Sequence, residues 1–124
     1  MHIISNRTNN TLSIRGNISS GAINEIRASY SDGEAIVGTY ILLLSYNSKT
    51  IAMAEATASN GALYFELNTN TVSAQSVLTT VGGVEELPVK ISILHSTVPP
   101  KLIGTGYVTM VVNYSDELPA AEAI

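Results

Sequence analysis

The chain has no cysteine, no tryptophan and one phenylalanine, Phe65. Without cysteine it can form neither disulfides nor thiolate metal sites, and this absence says little about compartment. The core must therefore be mainly aliphatic, helped by six tyrosines. Charge is scarce as well: 13% of the 124 residues are charged, against the roughly 25% usual for soluble domains. Ser, Thr and Asn must supply the polar surface. Net charge is −4, and the cations Arg7, Arg15, Arg27, Lys49, Lys90 and Lys101 are scattered along the sequence. Phosphate neutralisation needs clustered cations, so nucleic acid is not an expected partner. The opening Met1–Arg7 has no basic start followed by a long apolar stretch, so no signal peptide is expected. The aliphatic run Ile41–Leu44 falls far short of the ~18 residues of a membrane helix. The expectation is a soluble, membrane-free protein made in the cytoplasm. Its length fits one domain able to bury about 65% of its unfolded surface.

Short β-rich runs separated by turn residues fill most of the chain. Thr11–Arg15 alternates, with Leu12 and Ile14 on one face, as a half-buried strand requires. Asn24–Tyr30 follows, and Asp32-Gly33 marks a turn into Ala35–Tyr46, the most apolar run, where Gly38 suggests a bulge or a close backbone approach. Asn47-Ser48-Lys49 turns the chain into Thr50–Ala58, where alternate alanines also suit a helix. Ser59-Asn60-Gly61 is the strongest hairpin signal and leads into Ala62–Leu67, with Leu63, Phe65 and Leu67 inward and Tyr64 and Glu66 outward. Within Asn68–Gly83, Thr71 is placed to cap a short helix reaching Leu78. Leu87–His95 and Leu102–Tyr114 resume the alternation on either side of the Pro99-Pro100 break. These seven strands predict an all-β fold, an immunoglobulin-like antiparallel β-sandwich with a short helical excursion. Residues 1–114 form its one domain. Residues 115–124 form a C-terminal tail or connector, whose Ala/Glu-rich body, capped by Ser115 or Asp116, suits a helix.

No catalytic constellation emerges. His2 and His95, the two groups that titrate near neutrality, have no local partner at catalytic or metal-ligand spacing. Asp32 and Glu34 flank a turn glycine and Glu85-Glu86 is the one acidic pair, neither resembling a calcium loop of six to eight oxygens. Gly104-Thr105-Gly106 lies inside a strand with no helix after it, so close packing explains it better than dinucleotide binding. Tyr30, Tyr40, Tyr46, Tyr64, Tyr107 and Tyr114 all fall in or beside strands, where tyrosine serves packing first and sugar stacking second. No catalytic, cofactor-binding or metal-binding residue is assigned, and no cofactor is expected.

From Leu63 to Asn113 the sequence resembles the small immunoglobulin-like N-terminal domains of bacteriophage baseplate and tail-fibre proteins. The resemblance is carried by Leu63-Tyr64-Phe65-Glu66-Leu67-Asn68-Thr69, by Leu87-Pro88-Val89-Lys90-Ile91-Ser92-Ile93, and by Leu102-Ile103-Gly104-Thr105-Gly106-Tyr107-Val108-Thr109. It implies a non-enzymatic virion structural protein that anchors or adapts a tail, baseplate or head-fibre assembly. The expected partners are other virion proteins, and the expected assembly is a homotrimer. Sheet edges and the Asn68–Gly83 excursion are the expected contacts. The alternative is a carbohydrate-binding or adhesin module using exposed tyrosines.

Overall fold

The computed structural model describes residues 1–70, 86–97 and 101–111. Nine strands account for most of them: β1 (His2–Asn6), β2 (Thr11–Arg15), β3 (Ile18–Ser19), β4 (Ile23–Tyr30), β5 (Thr39–Tyr46), β6 (Lys49–Thr57), β7 (Leu63–Asn68), β8 (Glu86–His95) and β9 (Lys101–Val111). All seven expected strands are present. The two additions are β1, whose Ile3 and Ser5 point inward, and the short β3. Thr50–Ala58 resolves as strand, because its outward Met53, Glu55 and Thr57 alternate with more buried alanines. The expected helix at Thr71–Leu78 and the tail 115–124 lie outside the described residues.

The strands join in one sheet, in the order β6-β5-β8-β9-β2-β1-β4-β7, with β3 beside β9. Purely antiparallel pairing is corrected, since β1–β4, β2–β9 and β3–β9 run parallel. Alternation fixes which face of a strand is buried and leaves its neighbour and direction open. The sheet curls until its edge strands β6 and β7 approach one another, so the fold is nearly a barrel. One hydrophobic cluster fills the interior and draws on every strand, with Phe65, Leu42, Leu44, Ile91 and Ile93 among its fully buried members.

Turn chemistry sets the hairpins. Asn47 and Ser48 both hold positive φ (52° and 66°), the backbone of a two-residue type I′ loop whose twist matches β5 and β6. Asn60 and Gly61 repeat that pattern, and Ser59 pairs with Ala62. The expected strand Ala35–Tyr46 begins only at Thr39. Gly38, at φ 102°, turns the chain there, while Ile36 is buried and donates its N–H to the Gly61 carbonyl.

The joint between β9 and β2 is narrow. It consists of a single pair, Thr11 with Thr105, and the bond from Thr105 N–H to the Asn10 carbonyl. A Cβ on Gly106 would lie 2.6 Å from the Leu12 carbonyl oxygen, and one on Gly104 2.7 Å from the Leu12 side chain. The two glycines therefore serve close strand crossing, as their setting in the sequence suggests.

Candidate functional site

Residues weighed individually in the sequence take up structural roles. Tyr40 is buried and donates its hydroxyl to the Val37 carbonyl at 2.8 Å; burial above all, then Tyr30, pushes its pKa up to about 12. His95 packs edge-on against Tyr40, with ring centres 4.9 Å apart. Asp32 accepts the Glu34 backbone N–H and two bonds from Arg7, whose guanidinium also lies 4.4 Å from the Tyr30 ring centre. The Glu34 N–H first, and Arg7 second, hold the Asp32 carboxyl below its ordinary value. This tie closes a turn onto the β1–β2 loop. Glu86 starts β8 opposite Val111, whereas Glu85 and Tyr114 lie outside the described residues. Among the described residues, no three His, Asp or Glu side chains gather as metal ligands, and no helix is long and apolar enough to cross a membrane.

The chemistry instead lies on three outward surfaces. The first is the outer face of β6-β5-β8-β9. Its rows run Met53–Leu43–Ser92–Thr105 and Glu55–Ile41–Leu94–Leu102. Met53 is 66% exposed and Leu102 47%, with Ile41, Leu43 and Leu94 half-buried between them. An apolar face of this kind on a sheet marks a contact surface more readily than a solvated one.

The second surface is an open groove of about 710 Å³ at the β5–β6 turn. Tyr46, Lys90, Pro88 and Tyr107 line it together with Ser45, Asn47, Ser48 and Thr50. Tyr107, 73% exposed, sits opposite Lys90, which in turn sits opposite Ser45. Ring faces and neutral hydrogen-bonding groups so arranged suit a polar ligand with apolar patches, such as a sugar.

The third surface was invisible in the linear sequence. Pairing sets Arg15, His2, Arg27 and Tyr64 side by side across β2, β1, β4 and β7. The scattered cations thus contribute a local basic row. Arg27 Nη1 approaches His2 Nε2 at 3.4 Å and Ser29 Oγ lies 3.1 Å from the same nitrogen. A guanidinium can only donate, so this nitrogen accepts. Burial, then the positive charges of Arg27, Arg15 and the Met1 ammonium, keep the His2 pKa below its usual value. A recess of about 340 Å³ adjoins the row, lined by Met1, Glu25, Arg27, Tyr64 and Glu66. The register of β1 against both β2 and β4 creates this row, and β1 was one of the two strands the sequence did not disclose.

No protein-family model matches the chain, and no curated protein matches it.

Proposed function

We propose that the chain is a non-enzymatic structural domain of a virus particle, anchoring or adapting a phage tail, baseplate or head-fibre component. The observation that carries a docking role is the outward apolar face of β6-β5-β8-β9, with Met53 and Leu102 at its ends. The assignment to a virion rests on the resemblance over Leu63–Asn113 and on the low charge of the chain. The immunoglobulin-like sandwich belongs to the same proposal. In its favour, the ladder between two groups of four strands, β6-β5-β8-β9 and β2-β1-β4-β7, narrows to one residue pair at β9–β2; the parallel pairs and the approach of β6 to β7 depart from that pattern. Its partners are other virion proteins and further copies of itself, with a trimer supplying avidity. Its place of action is the particle assembled in the host cytoplasm.

Light scattering on the intact chain tests the assembly. A trimeric mass that falls in Met53→Lys, and in a chain ending at Tyr114, is the expected result. A monomer unaffected by both changes removes self-assembly through this face and the tail.

A second reading, a carbohydrate-binding or adhesin module, is favoured by the exposed rings of Tyr107 and Tyr64, each beside a recess. Weak, micromolar-to-millimolar binding across a glycan panel, lost on changing either tyrosine to Ala, is its expected signature. Silence across that panel counts against it.

A further inference from the structure

We infer that the Arg15–His2–Arg27–Tyr64 row and its adjoining recess form a binding site for an acidic saccharide, a sugar ring bearing one carboxylate. The inference deepens the carbohydrate reading and rests on it.

Strand register alone brings the charges together. Arg15 and Arg27 both lie opposite His2, on either side of β1, and Tyr64 lies opposite Arg27. Four neighbouring strands span about 14 Å at the usual strand spacing, enough for a sugar unit and part of the next. Among the described residues the one salt bridge is Arg7–Asp32, so neither Arg15 nor Arg27 forms an ion pair with another described residue. In a chain of net charge −4, two guanidiniums on either side of a histidine form a positive spot that repels itself. An arriving carboxylate relieves that repulsion, and the planar guanidinium fork suits its two oxygens.

The next outward row argues for a sugar rather than a bare anion. There Glu25 sits directly opposite Glu66, a like-charge pairing that costs stability. Neither has an ion-pair partner among the described residues. Both line the 340 Å³ recess with Arg27 and Tyr64. Two carboxylates oppose a dianion, yet they accept hydrogen bonds from hydroxyls. Tyr64, 53% exposed, stands opposite Arg27 and two residues from Glu66 along β7, and offers its ring as a platform. Cations, a ring and hydroxyl acceptors around one recess match one carboxylate, one pyranose face and its hydroxyls.

Titration follows from the same arrangement. The groups facing His2 are Arg15 on β2, Arg27 and Ser29 on β4, and the Met1 ammonium, with Tyr64, Glu25 and Glu66 beyond Arg27. A bound carboxylate opposes those positive charges and favours protonated His2, so binding takes up a proton and tightens as pH falls from 7.5 to 5.5.

The test is calorimetric titration of the intact chain with sialyllactose and oligogalacturonate, against lactose and inorganic phosphate. The acidic sugars should bind at least ~10-fold more tightly than lactose. Arg27→Gln should remove that advantage, and Tyr64→Ala should abolish binding. His2→Asn should flatten the pH dependence. Unchanged thermal midpoints in all variants keep lost binding distinct from lost folding. Phosphate binding as tightly as the acidic sugars, with the same loss in Arg27→Gln, overturns the saccharide assignment in favour of a simple anion site. Equal binding of lactose and sialyllactose, or indifference to Arg27→Gln, overturns the acidic site and leaves the general carbohydrate reading standing. Silence toward every sugar overturns both.

Discussion

Thr69 is fully buried, and its hydroxyl works in both directions. It donates to the Ser19 carbonyl at 2.6 Å and accepts the Ala22 N–H at 3.1 Å, while Asn24 bridges Ser19, Ala22 and Leu67 around it. One side chain thus satisfies the irregular backbone between β3 and β4 from the end of β7. Thr69→Val keeps the volume and strands those groups, so we expect a loss of about 1–3 kcal/mol, read as a shifted urea midpoint. Asp32 gives a pH prediction. Its folded pKa is depressed, chiefly by the Glu34 N–H and then by Arg7. Its contribution to stability is therefore present above the unfolded value of 3.8 and disappears as pH falls through the lower, folded value. Asp32→Asn should flatten stability against pH in that acidic window alone, as followed by thermal melts. The Asp32–Glu34 turn is legible in the sequence, but the Arg7 tie, 25 positions away, and the Thr69 bonds, 47 and 50 positions away, are not.

Hairpins and faces, by contrast, are largely local matters. Inward Leu63, Phe65 and Leu67 and outward Tyr64 and Glu66 follow from period 2 alone. Asn47-Ser48 forms the expected turn, although Ser48 sits at φ 66°, a conformation that favours glycine. We expect Ser48→Gly to stabilise the β5–β6 hairpin by up to about 1 kcal/mol, measured as a raised melting temperature. A loss of stability would show that the Ser48 side chain contributes more than the strain it carries. Local patterning fails where a segment is held by something distant. Ala35–Gly38 reads as strand by composition, yet the Gly61 carbonyl takes the Ile36 N–H and Gly38 turns the chain before β5 starts. The run His2–Asn6 gives too little alternation to announce a strand, and only its place between β2 and β4 makes it one.

Taken whole, the molecule depends on its narrowest joint. At β9–β2 one residue pair continues the sheet, and Gly106 lets the Leu12 carbonyl approach. Gly106→Ala would place a Cβ 2.6 Å from that oxygen, against backbone that cannot swing aside. The expected cost is about 1–3 kcal/mol, with hydrogen exchange of the Thr105 amide accelerated ahead of amides in β8. Uniform acceleration would show instead that the seam opens only with global unfolding. The same curvature brings edge strands β6 and β7 together. The sequence by itself determined the β class, seven of the nine strands, their turns and most inward residues, because alternation and turn chemistry act over a few neighbouring residues. The tertiary structure alone decided the parallel pairs, the near-closure of the sheet, and the meeting of Arg15, His2, Arg27 and Tyr64. Those depend on which distant strands become neighbours and in what register, a choice made by burial of the common core and not by any single segment.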